Sequence, residues 1–289
     1  MEDFPQINLE SHISNELKLV NNWLTLNRLS LNSDKTKCMT FHTWQKLVHP
    51  LTVSINGKQI ENVKFFKFLG VMFDECLSWK SHIKMIKNKL SKIIGIINKL
   101  KYIYPQHALL SIYNALFLSH MTYGLLLWGT QAEEVFKLQK KAVRIITNSE
   151  YLAHSEPLFK TLELLKIQDL YNLKILKFYY NLSYHRLPSY FNSYLDTINE
   201  KLPILYDLRP SARPKIRLPR TRLIITESSL LYQLIYLINY TNTHNPEILR
   251  KIQEKSHSYS GFNFNVSRIY LALYSSTCVN QICFKCGRL

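Results

Sequence analysis

The stretch F-F-K-F-L-G-V-M-F-D-E-C-L-S-W occupies residues 65–79 and predicts a buried apolar strand around which the rest of the chain is arranged. Its apolar run continues through Phe73, and Asp74 then predicts an acidic turn that ends the strand. A single glycine, Gly70, interrupts the run. Such a glycine marks a bulge or a close approach by another backbone. The stretch alone leaves open whether this is an ordinary core strand or one that contacts a partner.

The residues after this strand predict an amphipathic helix that is rich in lysine. Its apolar face recurs at spacings of three and four, and consists of Ile83, Ile86, Leu90, Ile93, Ile97 and Leu100. The lysines outside or beside that face are Lys80, Lys84, Lys87, Lys89 and Lys92. No Asp or Glu occurs between Glu75 and Glu133. A helix face that meets only water usually mixes both charges, so we favour contact with phosphate groups over a merely solvated face.

The residues before the strand predict a helix and then a small antiparallel sheet. Apolar residues at helical spacing predict a helix over residues 9–26. Polar turn residues at 32–34 lead into a short strand at 38–41. Asn56-Gly57 follows an alternating apolar pattern and predicts a β-hairpin, because Asn-Gly readily adopts the two positive φ angles of a type I′ turn. Residues 38–73 are therefore expected to form a small antiparallel sheet or the edge of a larger one.

From residue 80 to about residue 184 the pattern predicts a helical bundle. A helix over residues 105–124 is apolar nearly all round, which predicts burial, with His120, Tyr123 and Trp128 in or beside the core. Another helix begins at Glu133, and its later turns carry Lys137, Lys140, Lys141 and Arg144. The predicted fold class is α+β and mostly helical, with a small antiparallel sheet followed by this bundle.

Composition indicates a globular chain with a polyanionic partner. The 289 residues are 46% hydrophobic, which is sufficient for a large core, and carry a net charge of +17. That charge suits nucleic acid or an anionic membrane surface, and nucleic acid is our default. The acidic start leads into no apolar signal segment, so we expect an intracellular protein, in nucleus or cytoplasm, that is not secreted. The longest apolar stretch, residues 109–128, is interrupted by polar residues and predicts a core helix, not a membrane span.

The C-terminal region differs from the rest of the chain in its amino-acid composition. Residues 201–222 contain four prolines, and six basic residues lie among them between residues 209 and 222, which predicts an extended segment. This segment either follows a nucleic-acid backbone or is a solvated linker, and the sequence favours neither. Cys278, Cys283 and Cys286 have spacings near those of zinc ligands, but a fourth ligand is not evident nearby, so free thiols are the better interpretation.

The sequence on its own does not argue for an enzyme. Polymerases and nucleases need carboxylates close enough to share metal ions, whereas each aspartate here is isolated from the others along the chain. Glu133-Glu134 is explained by the start of a helix. No Ser/His/Asp or Cys/His set favours nucleophilic catalysis over a structural interpretation.

Short motifs follow one another along the chain in a fixed order. They are Trp23, residues 27–32, Lys35-Thr36, Phe68-Leu69-Gly70-Val71, Leu77, Trp79, His82-Ile83, Tyr113, Ser119-His120, Tyr123-Gly124, Trp128-Gly129, residues 139–142 and residues 144–146. In this order the series resembles the C-terminal part of the reverse transcriptases of non-LTR, jockey-like retrotransposons. Each motif is a modest signal, and their order and spacing are more specific. The resemblance covers most of residues 9–190 and continues loosely to the end.

The resemblance implies a role for each matched segment. Asn32, Lys35 and Thr36 look like the late palm motif beside the incoming nucleotide, and Phe68, Leu69, Gly70 and Val71 look like the primer grip. The implied domains are a palm remnant at 1–79, a thumb-like bundle at 80–186, and a basic, proline-containing and helical region at 187–289. The implied partners are RNA or DNA, bound through phosphates by the helix lysines above and by Lys140, Lys141 and Arg144.

The resemblance also implies what this chain lacks. In the family the metal-binding aspartate pair lies upstream of a helix like the one near residue 9, so we expect this chain to be a fragment without it. No cofactor is then expected in the chain itself, since magnesium belongs to the complete polymerase. The chain is expected to be inactive alone. The competing hypothesis is a non-catalytic basic module that binds nucleic acid, or an inert remnant of a mobile element.

Overall fold

The computed structural model describes residues 6–44, 51–55, 57–200, 216, 218–219 and 227–244. The chain forms two compact units, Met1–Met85 and Ile86–Leu289. The predicted fold class is confirmed, since the described residues are mainly helical and their strands form only small two-stranded sheets. The predicted division into three domains stays a prediction.

The first unit contains a long helix and three strand pairs. Helix α1 is Gln6–Leu26, and the strands are β1 (Lys37–Cys38), β2 (Ser54–Ile55), β3 (Lys58–Gln59), β4 (Glu61–Asn62), β5 (Phe65–Phe68) and β6 (Val71–Asp74). Strands β2 and β3 form the hairpin predicted at Asn56-Gly57, and Gly57 has a φ of 76°. Strands β5 and β6 are also antiparallel. Strands β1 and β4 are parallel, so the expectation of uniformly antiparallel pairing over residues 38–73 is wrong.

A small apolar core joins α1 to the β2–β3 hairpin. Its buried members alternate along the chain with exposed residues and are Leu51, Val53, Ile55 and Ile60. Ile13 and Leu17 of α1 pack against them from one side. Burial of such aliphatic side chains stabilises a fold by about 1.5–3 kcal/mol each. Because every second residue faces this core, the strand register is strongly specified.

The stretch at residues 65–74 folds as a hairpin, which corrects the prediction of a single buried strand. The turn lies at Leu69 and Gly70, whose φ angles are 46° and 83°. Positive φ at both central residues is the signature of a type I′ turn, which matches the twist of the paired strands. Phe68 is 56% exposed and Leu69 74% exposed, so the apolar run is only partly buried. One face of the hairpin is wholly apolar, whereas the other face also carries Lys67 and Asp74.

Helix α2, Lys80–Leu100, has the predicted amphipathic character. Its buried face contains Ile83, Ile86, Leu90, Ile93, Ile94 and Ile97. Asp74 organises the turn before it by accepting hydrogen bonds from the backbone N–H groups of Cys76 (3.2 Å), Ser78 (2.8 Å) and Trp79 (3.1 Å). The predicted acidic turn is therefore confirmed, and the Asp74 carboxylate is committed to it. Leu77 and Trp79 have positive φ angles of 50° and 58° in this turn.

The second unit consists of helices. After α2 they are α3 (Gln106–Ile112), α4 (Ser119–Thr122), α5 (Leu125–Trp128), α6 (Glu133–Ile146), α7 (Ser155–Thr161), α8 (Ile167–Ser183), α9 (Asn192–Glu200) and α10 (Leu230–His244). A π-helical segment, Tyr113–Leu118, joins α3 to α4. Short apolar patterns predict helices at residues 230–238 and 248–252. Helix α10 confirms the first of these, whereas the second lies outside the described residues, as does nearly all of the proline-containing segment at 201–222.

The helix predicted over residues 105–124 is only partly as expected. It is interrupted by the π-helical segment, and its buried residues, Leu109, Tyr113, Phe117 and Met121, follow one stripe at spacings of four. Trp128 is buried as predicted, whereas His120 and Tyr123 are exposed. In the described part of the chain no single helix is long and apolar enough to span a membrane, and the two segments Gln106–Thr122 and Leu125–Gln131, bent by 55°, meet those criteria only when taken together.

A buried amide connects three segments of the second unit. The Gln139 side chain donates to the Tyr113 hydroxyl at 3.1 Å and to the Leu165 carbonyl at 2.9 Å, and it accepts from the Ile167 N–H at 2.9 Å. Burial raises the pKa of Tyr113 to about 12. These bonds satisfy the backbone at the start of α8, where the first turn has no intrahelical partners. Gln139 is therefore a structural residue of the bundle.

Candidate nucleic-acid interface

Asn32, Lys35 and Thr36, the residues predicted to lie near a nucleotide, form one turn. The Asn32 side chain accepts from the Lys35 N–H at 3.1 Å, and its backbone carbonyl accepts from the Thr36 hydroxyl at 2.9 Å. This is the side-chain-to-backbone bonding by which asparagine forms turns. Asn32 and Thr36 thus shape the loop, and the exposed Lys35 side chain is the member that can meet a phosphate.

Two ion pairs lie near this turn. The Lys58 ammonium contacts the Asp34 carboxylate, and this pairing holds the pKa of Asp34 below its usual range. Lys37 pairs with Glu61 at 2.5 Å across strands β1 and β4. Exposed pairs of this kind contribute little to stability. Asp34 is accordingly engaged with Lys58 in the sheet region.

The primer-grip-like segment Phe68-Leu69-Gly70-Val71 is the tip of the β5–β6 hairpin. Phe68 pairs with Val71, and Leu69 and Gly70 are the two turn residues between them. Val71 is 6% exposed, whereas the other three residues face solvent. The hairpin therefore presents an apolar tip whose backbone is accessible at a residue without a Cβ atom. That Gly70 permits a close approach by another backbone stays a prediction, and the turn itself also requires the glycine.

An apolar cavity of about 190 Å³ lies beside the hairpin. Its walls are Met39, Phe41, Val63, Phe66, Phe68 and Phe73, with Lys37 as the single charged member. Phe66 and Phe73 are a cross-strand pair and stand on the same face of the hairpin. Aromatic walls of this kind suit a flat apolar or aromatic group.

The lysines of α2 fall into two classes. Lys80, Lys84, Lys89 and Lys92 are exposed. The Lys80 ammonium lies 5.8 Å from the centre of the Trp44 ring, which is itself 76% exposed. Lys87 differs because its ammonium pairs with Glu134 at 2.9 Å. Among the lysines of α2 that were predicted to contact phosphate, Lys87 thus already has its charge balanced by the Glu134 carboxylate.

Lys92, Gly95 and Lys99 share one exposed face of α2 within the second unit. Their spacing of i, i+3 and i+7 places them one above another. A Cβ atom added at Gly95 meets none of the described residues within 4 Å. The sequence analysis did not single out Lys99. Its spacing of seven residues from Lys92 is the signal that could have identified it.

The acidic start of α6 is also engaged. Glu134 accepts from Lys137 at 2.5 Å and from Lys87 at 2.9 Å, and these two ammonium groups lower the pKa of Glu134 to about 2. Glu134 therefore stays charged at any physiological pH. This explains the Glu133-Glu134 pair as part of the fold, in agreement with the sequence interpretation.

The basic residues predicted further along α6 are mostly occupied by local contacts. The Lys140 ammonium lies 4.3 Å from the centre of the Phe136 ring, and the Arg144 Nε donates to the Ala153 carbonyl at 2.9 Å. Lys141 is exposed. The structure thus leaves Lys141 as the member of this group best placed to contact a phosphate. Cys278, Cys283 and Cys286 lie outside the described residues.

Comparison with known proteins gives one informative match. The probable RNA-directed DNA polymerase from transposon X-element of Drosophila melanogaster is 24% identical over 216 residues, which are 72% of this chain and 22% of that protein. No protein-family model and no solved structure matches the chain. The chain therefore spans about a fifth of the length of this relative. It contains a region distantly homologous to a retrotransposon RNA-directed DNA polymerase, of the reverse-transcriptase type that the sequence motifs resemble.

Proposed function

We propose that this chain contributes template–primer binding to a retrotransposon reverse transcriptase, and that it holds the phosphate backbone instead of carrying out polymerisation. The observation that carries the proposal is the acid-free run from residue 76 to residue 132, in which α2 exposes lysines on its outer surface. Lysine binds phosphate as a point charge and needs no exact fit. Such contacts position a duplex without reading its sequence, which is what a polymerase requires of its binding surfaces.

In the second unit, Lys92, Gly95 and Lys99 support the proposal most directly. An exposed glycine inside a helix destabilises the protein by about 0.5–1 kcal/mol relative to alanine. None of the described residues needs the space beside Gly95. A phosphate backbone lying between the two lysines accounts for both the charge and the missing side chain.

In the first unit, the hairpin tip supports a separate contact. The exposed Phe68 and Leu69 side chains present apolar surface whose burial against a partner would be favourable. Lys67 beside them is exposed as well. Bases and sugars of a primer strand offer apolar faces, and the accessible backbone at Gly70 can approach them closely. The resemblance of this segment to a primer grip supports the same assignment.

The proposal assigns binding and not chemistry to these residues. Two-metal catalysis requires carboxylates that share both ions. Asp74 is committed to the turn before α2, and Asp34 is paired with Lys58. We propose that magnesium acts in the complete polymerase and not through these two carboxylates. We expect no magnesium-dependent primer extension by the purified chain, and extension that follows the chain through purification would contradict the assignment.

The test is the salt dependence of affinity for a recessed RNA–DNA primer–template. Each phosphate contact contributes roughly 0.9 to the negative slope of log K against log salt on duplex DNA. We expect a slope of several units, and we expect Lys92→Gln and Lys99→Gln each to reduce it by about one. Lys160→Gln removes the same charge from an exposed position on α7 and is expected to leave the slope unchanged. A flat slope for the unaltered chain would leave only an inert remnant.

A second candidate function is a nucleic-acid-binding module that has no role in polymerisation. The net charge of +17 favours it to the same degree. The two functions differ in their preference for a primer end. A template–primer binder should prefer the recessed end over a blunt duplex of equal length, whereas a general module should bind both alike.

A further inference from the structure

Three side chains with metal-binding atoms converge in the first unit. They are His42, Glu75 and Cys76, and one donor atom from each lies within 4.8 Å of the other two. The His42 Nε2 is 3.6 Å from the Glu75 Oε2. The backbone fixes this approach, because the His42 N–H donates to the Glu75 carbonyl at 3.0 Å. His42 is distant from the other two in sequence, so the cluster is invisible to motif spacing.

The orientation of His42 is that of a metal-binding histidine. Its Nδ1 lies 3.0 Å from the Thr43 carbonyl oxygen. A carbonyl oxygen only accepts, so the Nδ1 carries the proton in this contact. The Nε2 then faces the Glu75 carboxylate, and it either carries a second proton or offers its lone pair to a cation. Ligating histidines commonly donate their other ring N–H to a backbone carbonyl in this way.

We propose that His42, Glu75 and Cys76 form a zinc site with one coordination position left open. Around a tetrahedral zinc ion, donor atoms bound at about 2.0–2.3 Å lie roughly 3.3–3.7 Å apart. The His42–Glu75 separation of 3.6 Å already has this value, and the Cys76 sulfur reaches it by a movement of about 1 Å. Nitrogen, oxygen and thiolate sulfur together form a donor set that suits zinc and excludes magnesium and calcium as preferred ions.

The position of the cluster shows which segments of the first unit the ion would connect. Glu75 and Cys76 directly follow β6, and His42 lies in the segment after β1. Zinc therefore fastens that segment to the base of the β5–β6 hairpin. The inference concerns only the first unit and does not depend on nucleic-acid binding.

The test uses the full chain with Cys278→Ser, Cys283→Ser and Cys286→Ser, because those thiols would themselves bind metal. Cobalt(II) replaces zinc and produces a thiolate-to-metal charge-transfer band in the near ultraviolet when cysteine is a ligand. We expect one cobalt ion per chain, displaced by zinc, together with this band. The three proposed ligands are unaltered in this protein, so this measurement does not depend on whether a variant of a ligand folds.

Single substitutions then assign the ligands. His42→Ala and Cys76→Ser are each expected to weaken cobalt binding about 100-fold or more, and Cys76→Ser is expected to abolish the band. Cys38→Ser is the matched control, since Cys38 is a free, half-buried thiol of the same unit, and it should bind cobalt unchanged. Absence of stoichiometric binding would leave only an imidazolium–carboxylate pair and overturn the site. A band that survives Cys76→Ser would overturn it as well.

Discussion

Substitution of two helical glycines by alanine tests the structure with opposite expected signs. Gly129 is buried and has ordinary helical dihedrals, with φ −61° and ψ −24°. A Cβ atom there would lie 2.2 Å from Cδ2 and 2.7 Å from Cε2 of the Tyr171 ring. Tyr171 is 1% exposed, so its ring has little room to move. Overpacking of this kind costs about 1–3 kcal/mol, which exceeds the gain of about 0.5–1 kcal/mol from better helix propensity.

Gly129→Ala is therefore expected to lower the free energy of unfolding by about 1–2 kcal/mol. Gly95→Ala introduces the same methyl group into open space on α2 and is expected to raise it by about 0.5–1 kcal/mol. Urea unfolding followed by far-ultraviolet circular dichroism measures both changes. With a slope near 2 kcal/mol per molar urea, the midpoints should move by roughly 0.5–1 M downwards and about 0.3–0.5 M upwards.

If Gly129→Ala leaves the urea midpoint unchanged or raises it, the close packing of the Tyr171 ring against Gly129 is refuted. The result for Gly95 also bears on binding. If the glycine exists to admit a phosphate backbone, Gly95→Ala should stabilise the protein and yet weaken binding to the primer–template. A gain in stability with unchanged affinity would refute the close approach of a phosphate backbone to Gly95, but it would not bear on the lysine contacts.

Two further predictions concern the helical unit. Burial raises the pKa of Asp169 to about 6, above its value of 3.8 in an unfolded chain, so the folded state holds the proton more tightly and stability falls as the pH rises through about 4–6. Asp169→Asn removes this titration and should be more stable than the unaltered protein by about 1–3 kcal/mol at pH 7 but not at pH 4, as thermal unfolding at both pH values will show. Gln139→Leu leaves the Leu165 carbonyl and the Ile167 N–H without their partner and should cost about 2–4 kcal/mol in urea unfolding. A cost below 1 kcal/mol would show that water replaces the amide.

Periodicity predicted α2 and α6 well because each has one continuous buried stripe. Helix α2 is the clearest case, since its apolar residues repeat regularly and its lysines fall elsewhere on the surface. Periodicity failed at residues 65–74, because the apolar residues continue through the turn and give no sign that the chain reverses there. A tight turn at Leu69-Gly70 lacks the Asn-Gly or Asp-Gly pair that usually signals one, although the glycine was correctly singled out.

The candidate site was predictable only as a set of charges. The sequence identified the lysines of α2, and it had no means of knowing that Lys87 pairs with Glu134 or that Arg144 bonds to the Ala153 carbonyl. Those contacts join residues on different segments, so they depend on tertiary packing and not on local pattern. The same reason hid the approach of His42 to Glu75.

Several residues of the helical unit that carry the resemblance to reverse transcriptases are explained by packing. Tyr113 and Gln139 form a buried hydrogen bond, Trp128 donates from its indole to the Tyr123 carbonyl at 3.1 Å, and Gly129 accommodates the Tyr171 ring. These motifs therefore report the architecture of the helical unit and say little about what it binds. The proposed phosphate contacts rest instead on Lys92, Lys99 and their neighbours, which are not part of those motifs. A flat salt slope would thus remove the proposed function and leave the distant homology to the polymerase untouched.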